Sequence, residues 1–353
     1  MTTDPREAKI QRFLADHGYQ DWSRSHLTGD ASTRAYEVLR KENKDDLILM
    51  NAPAMPDGPP IKDGKPYSQI AHLAEDIRAY VAMTHMLKGG GLRVPEIKAC
   101  NLTEGLLVIE HLGSDGIVTA ARTPIDDRYH VAMETLAMIH AQPWKPDIQF
   151  GDNDRYVLHK FDQGAIMVEL DLLLQWYVEH QRGHPVSQGE RDGFEEIWCS
   201  LVPHITGSEQ TVMLRDYHSP NIIWKADAAG ADRTALIDFQ DALIGPTAYD
   251  VASIAQDARV DVAESLENAL VDHYLAQRPA IDGAAFKAIY AILAAQRATK
   301  ILGIFVRLSQ RDQKHAYLAH LPRVEAYLSR SLRHPVLTRY KQWLKSVVEF
   351  DDR

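Results

Sequence analysis

Apolar positions recur along this chain at two spacings, which separate an early strand-rich part from a later helical one. Ile10, Phe13 and Leu14 fall on one helical face within residues 5–17. Residues 27–34 (Leu-Thr-Gly-Asp-Ala-Ser-Thr-Arg) read as a turn that enters a strand over Ala35 to Leu39. Leu47-Ile48-Leu49-Met50 is an unbroken apolar run of the buried-strand type. Asn51 to Pro66 carries five prolines and two glycines and reads as a loop. Leu73, Ile77, Tyr80, Val81, Thr84 and Leu87 then repeat near 3.6 residues, predicting a helix closed by Gly89-Gly90-Gly91. Leu106 to Ile109 predicts another strand, and Glu110-His111-Leu112-Gly113 breaks its pattern. Beyond about residue 113 helical spacing prevails, with one exception. Ile222-Ile223-Trp224 and Ala235-Leu236-Ile237 flank the small, polar stretch Ala226 to Arg233, so they read as a hairpin. The expected fold class is α+β: a small β-rich N-lobe, residues 1–112, and a larger, mostly helical C-lobe, residues 113–353. A short crossover joins the two, with a ligand cleft between them.

Composition narrows the class of protein. A chain of 353 residues, 45% apolar and 25% charged, has the length and balance to bury a large core. A net charge of −10 disfavours nucleic acid or an anionic membrane as the main partner. No uninterrupted apolar run reaches about 18 residues, so no membrane-spanning helix is expected. Met1-Thr2-Thr3-Asp4 opens no signal-peptide core. Cys100 and Cys199 are too few and too far apart for a disulfide scaffold or a zinc site, which agrees with a cytoplasmic location. Oligomeric state is not legible here.

The chemistry concentrates in Leu214-Arg215-Asp216-Tyr217-His218-Ser219-Pro220-Asn221 and in Ile237-Asp238-Phe239-Gln240-Asp241. Asp and Asn near Pro are ordinary turn residues, and an Asp ending a strand is often a cap. The pairing of the two segments points further. If the hairpin is symmetric, its centre lies between Ala229 and Gly230 and Asn221 stands opposite Asp238. Paired residues have Cβ atoms about 5 Å apart, close enough for an amide oxygen and a carboxylate to share one hard cation. Asp216, five residues before Asn221, stays free to act as a base beside a hydroxyl acceptor.

These segments resemble the catalytic loop and metal-binding strand of the aminoglycoside phosphotransferase superfamily, which has a protein-kinase-like two-lobed fold. The resemblance implies ATP and Mg2+ as cofactors, Asp216 as catalytic base, and Asn221 and Asp238 as metal ligands. The family's usual His-Gly before the Asp is replaced by Leu214-Arg215. Gly29-Asp30-Ala31-Ser32 with Arg34 and Tyr36, Leu49-Met50-Asn51-Ala52-Pro53, and Gly245-Pro246 with Tyr249-Asp250 extend the likeness. Together they look like the branch of anomeric sugar kinases in bacterial cell-wall recycling, which phosphorylate N-acetylmuramate and N-acetylglucosamine at C1. In that light Gly29, Asp30, Ala31, Ser32 and Arg34 belong to a loop over the phosphates. Glu110, His111 and Leu112 form the lobe connector, whose backbone pairs with an adenine edge. Met50 stands where most kinase-like folds carry a phosphate-holding lysine, a departure this branch shares. Arg34, Lys62 and Lys65 are candidate substitutes for it, and Glu75, on the N-lobe helix, loses its customary partner.

Other polar residues read as scaffold or as substrate contacts. His140 lies on a helix face with Met133, Leu136 and Ala137, as a core histidine does. Asp250 suits a helix N-terminus and a role in scaffolding the loop at 214–221. Ile166, Leu170, Leu173, Leu174 and Tyr177 share a core face, leaving Glu169 and Asp171 as candidate substrate contacts beside Asp241. Three functions fit: a kinase acting on an amino sugar, a kinase for another hydroxylated small molecule such as an aminoglycoside, choline or homoserine, and a non-catalytic nucleotide-binding module.

Overall fold

Five antiparallel strands form the N-lobe sheet, in the order Ser23–Leu27, Ala35–Arg40, Leu47–Asn51, Leu106–Glu110 and Ile97–Asn101. The computed structural model describes residues 4–27, 34–54 and 58–350. Leu47–Asn51 and Leu106–Glu110 pair along their whole length, from Leu47 opposite Glu110 to Asn51 opposite Leu106. Both read as continuous apolar runs because the sheet is covered on both faces. Leu47, Leu49, Leu106 and Val108 meet Ile10, Phe13 and Leu14 of helix Pro5–Asp16 in one cluster. Ile48, Met50, Leu107 and Ile109 alternate to the other face and join the main core. The helix starts where its sequence directs: Asp4 accepts the Arg6 N–H at 2.9 Å, and Pro5 occupies the first turn.

The strands Ser23–Leu27 and Ile97–Asn101 have no counterpart in the periodicity. The first is largely exposed, and the register of the second shifts between Ile97 and Ala99, so neither carries a clean alternation. The loop expected over residues 51–66 holds a small hairpin, Pro60–Lys62 with Lys65–Pro66. The helix expected from Leu73 begins only at Arg78 and runs to Gly89. Competing bonds explain the delay: the Asp241 carboxylate accepts the Ala74 N–H at 2.7 Å, and Asp76 accepts that of Arg78 at 2.7 Å. Glu75 therefore precedes the helix instead of standing on it.

The C-lobe is built mainly from helices. Asp126–Ala141, Gln188–Thr206, Thr247–Ala255, Glu264–Gln277, Leu321–Ser331 and Thr338–Val347 surround Gly283–Gln310 and Gln163–Leu172, the latter continuing through a π-turn at Leu173–Tyr177. Gly283–Gln310 is long and apolar enough to cross a membrane, yet 78% of its most apolar stretch is buried inside the protein. It is a core helix. Three short strand pairs are found in the lobe among the described residues: Asp147–Gln149 with Arg155–Val157, Gln210–Met213 with Leu243–Pro246, and Ile222–Trp224 with Thr234–Leu236. The lobes touch through backbone as well as side chains. Leu236 N donates to Arg93 O at 2.9 Å, and Ala74 N donates to the Asp241 carboxylate at 2.7 Å.

Candidate active site

Strand Gln210–Met213 delivers the chain into the loop at 214–221, which two buried carboxylates grip at its ends. Asp250, fully buried, accepts the backbone N–H groups of Leu214 at 2.6 Å and Arg215 at 2.9 Å. Asp257 accepts that of Ser219 at 2.8 Å. Between these anchors Arg215 adopts a left-handed backbone, φ 70°, and the Tyr217 hydroxyl donates to Ala132 O at 2.6 Å. Asp250 thus scaffolds this loop and leaves the first turn of its own helix uncapped. His140, buried beside Asp250, hydrogen-bonds the Tyr274 hydroxyl through Nδ1 at 2.9 Å.

The hairpin that follows differs in register from the symmetric expectation. Ile222 pairs with Leu236, and Ile237 N donates to Asn221 O at 3.0 Å, so Asn221 stands opposite Ile237. The 3-10 turn at Gly230–Arg233 takes up chain on one side only and moves the centre to Ala229. Asp238 lies one residue further, where a left-handed backbone, φ 58°, ends the extended run. Both residues still line the same cleft. Asn221 Nδ2 donates to Asp216 O at 2.9 Å, which orients the amide and leaves its oxygen for another partner.

That cleft, about 710 Å3, lies between the lobes. Asp216, Asn221, Asp238 and Asp241 line it from the C-lobe side, while Arg34, Tyr36, Ile48 and Met50 line it from the sheet. Glu110, His111 and Leu112 edge it at the connector, where Leu112 O accepts from Lys225 Nζ at 3.1 Å. The two acids differ electrostatically. Burial alone would raise the Asp216 carboxyl, but the charges of His218, Lys300, Arg215 and Arg297 outweigh it and hold it below the usual range. Asp238 is pushed up, first by burial and then by the like charge of Asp216, against a 2.8 Å bond from Gln240 and the Arg34 guanidinium at 3.7 Å. Converging oxygen donors whose charges repel suit a hard divalent cation. Among the described residues there is no cluster of three or more His, Cys, Asp or Glu with metal-binding geometry.

Several candidates lie elsewhere. Glu169 does not face substrate: it is 0% exposed, bonded by Arg215, by Lys300 Nζ at 2.8 Å and by Gln296 at 2.9 Å. Asp171 is outside the cleft, with Arg191 at 3.3 Å. Lys62, Lys65 and Glu75 are also absent from its lining, which leaves Arg34 as the only one of the three candidate cations there. Gly29, Asp30, Ala31 and Ser32 lie outside the described residues. Sequence reasoning missed Asp257, Arg297 and Lys300. The last two carried a readable signal, cations set within an apolar helix.

A β-rich lobe over a helical one, with two acids and an amide converging in the cleft between them, defines a kinase-like phosphotransferase of small molecules. The chain belongs to the phosphotransferase enzyme family, whose model matches residues 24–288. It is 33% identical to an N-acetylmuramate/N-acetylglucosamine kinase of Caulobacter vibrioides, over 99% of this chain and 98% of that one. A kinase of the same name from Pseudomonas aeruginosa is 28% identical, over 91% and 87%. Among solved structures, choline kinase LicA from Streptococcus pneumoniae superposes with a TM-score of 0.57 at 14% identity, covering 92% of this chain and 99% of that one. The GDP complex of aminoglycoside 2'-phosphotransferase-IIIa gives 0.55 at 14% identity, covering 91% and 98%.

Proposed function

We propose that this protein transfers the γ-phosphoryl group of ATP to a hydroxyl of an N-acetylated amino sugar of the N-acetylmuramate or N-acetylglucosamine type, at its anomeric carbon. The observation that carries this reading is the meeting of Asp216, Asn221 and Asp238 in one interlobe cleft of a chain that aligns end to end with kinases named for those sugars. In the proposed mechanism Asp216 accepts a hydrogen bond from the acceptor hydroxyl, orients it in line with the phosphoryl group and takes its proton late in the transfer. A carboxylate held below its usual pKa is a weak base, so most of its effect is orientation. Asn221, through its amide oxygen, and Asp238, through its carboxylate, hold magnesium. When bound with the nucleotide, that ion neutralises charge on the phosphate oxygens. Arg34 supplies a cation to the phosphates in place of the lysine missing at Met50, and residues 110–112 pass the adenine edge. The N-lobe, 1–112, serves the nucleotide, the rest of the chain serves the acceptor, and the enzyme works in the cytoplasm.

A cationic acceptor such as an aminoglycoside or choline is the second reading: Arg259, Arg297 and Lys300 in the cleft oppose it, and Asp216, Asp238 and Asp241 favour it. Coupled ADP release over an acceptor panel tests the assignment. N-acetylmuramate and N-acetylglucosamine should turn over, with loss of the reducing end in the product. Turnover of an amine-bearing acceptor with both sugars inert would reject it, and nucleotide binding without any turnover would favour a non-catalytic module.

A further inference from the structure

Helix Gly283–Gln310 carries Arg297 and Lys300 within an otherwise apolar stretch, and both line the cleft that holds Asp216. Ile301, Ile304 and Phe305 of the same helix line it too. Lys300 is accounted for by Glu169, and by the Tyr249 hydroxyl at 3.2 Å. Arg297 is not. It is 6% exposed, and its guanidinium stacks over the Tyr249 ring, 5.6 Å from the centroid. Among the described residues no carboxylate or hydrogen-bond acceptor meets it. A guanidinium keeps its charge and presents five N–H donors, so burying one without an anionic partner is strongly unfavourable. Its charge also bears on Asp216, whereas Arg34 stands beside Asp238. An unpaired, buried cation near the proposed base and next to an apolar wall has the form of half a recognition site.

We propose that Arg297 determines acceptor specificity by receiving the carboxylate of an acidic hexosamine, with Ile301, Ile304 and Phe305 as the apolar wall beside it. This rests on the sugar-kinase reading above and assigns the part of the site that tells an acidic sugar from a neutral one. The planar fork of Arg297 matches a carboxylate bidentately. A neutral sugar leaves the fork unpaired, which is the condition under which a polar pocket discriminates most strongly.

The test is kcat/KM of the full chain and of R297Q for N-acetylmuramate and for N-acetylglucosamine. The ratio of the two values cancels any loss of folded enzyme and any common effect on Asp216. In R297Q it should fall about 10- to 100-fold against the acidic sugar, mainly through KM. R297K, which keeps the charge but not the fork, should fall between, and it decides alone if R297Q does not fold. An unchanged ratio, with equal losses on both sugars, would overturn the inference and assign Arg297 to the phosphates or to packing. A wild-type enzyme inert on both sugars would instead overturn the function proposed above and this inference with it.

Discussion

Single side chains divide this site into groups that face the cleft and groups that hold those groups in place. Asp216 belongs to the first. Its substitution by Asn keeps the shape but removes the acceptor for the hydroxyl proton, so kcat should fall about 10²- to 10⁴-fold with nucleotide affinity largely kept. Coupled ADP release and a nucleotide thermal-shift titration measure the two sides of that expectation, and unaltered turnover would exclude Asp216 as the base. Glu169 belongs to the second group. Burial raises its carboxyl, but Lys300, Arg215 and Gln296 outweigh burial and bring it down to about 2, from an ordinary 4.5. A depressed carboxyl contributes its full stability above the ordinary value and loses it as pH falls toward the folded one. E169Q, which strands two buried cations, should therefore cost about 3–5 kcal/mol at pH 7. The gap from wild type should narrow once the pH drops below about 4.5, as urea unfolding at several pH values would show. A gap that widens under acid would contradict the ion-pair account. That Asp216 lines the cleft with Asn221 was legible because the two are local in sequence, five residues apart. The role of Glu169 was not, because its partners lie 46 and 131 positions away.

Two elements fix how those side chains meet. Gln296, Lys300 and Gly303 recur along one face of helix Gly283–Gln310, and the first two bond Glu169 from that face. The helices approach so closely because Gly303 has no side chain. A Cβ there would lie 2.3 Å from the backbone carbon and oxygen of Leu172, atoms that cannot step aside without moving the helix. G303A should destabilise the fold by about 1–3 kcal/mol in urea unfolding, with some loss of activity as Glu169 parts from Lys300 and Arg215. Wild-type stability in G303A would mean that the π-turn at Leu173–Tyr177 absorbs the strain. Elements with an unbroken pattern were legible from the spacing of apolar positions: Pro5–Asp16, Leu47–Asn51 and Leu106–Glu110 all occur within a residue or two of expectation. Where tertiary bonds compete with local pattern, the pattern misleads. Asp241 holds the Ala74 N–H out of a helix, and a 3-10 turn moves the 222–236 hairpin by one position.

For the molecule as a whole, the core is continuous from the sheet's inner face to the C-terminal helices, so both lobes are packed around a cleft that already exists. Residues 71–77 bind the C-lobe as well: Arg215 Nη1 donates to Ala71 O at 2.9 Å, and Ala74 N donates to the Asp241 carboxylate at 2.7 Å. Tyr80 stacks on Phe239 with centroids 5.0 Å apart. A ligand that bridges such a cleft binds the folded chain only, so it stabilises by mass action, about 2.7 kcal/mol at a hundredfold excess over its Kd. Asp216, Asp238 and Asp241 place three carboxylates where nucleotide phosphates are proposed to lie, and Arg34 beside Asp238 is the one cation among the proposed phosphate contacts that the described residues place there. Those carboxylates repel the phosphates of ATP locally, and a divalent cation would offset that repulsion. ATP with magnesium should raise the unfolding temperature, and ATP with EDTA should leave it near that of the free protein. D238N should lose most of the magnesium-dependent shift while keeping the fold, because an amide can ligate a cation but cannot neutralise it. An equal shift with and without magnesium would show that the phosphates bind through protein cations instead, and would move the site of charge neutralisation from the Asn221–Asp238 pair to Arg34 and its neighbours.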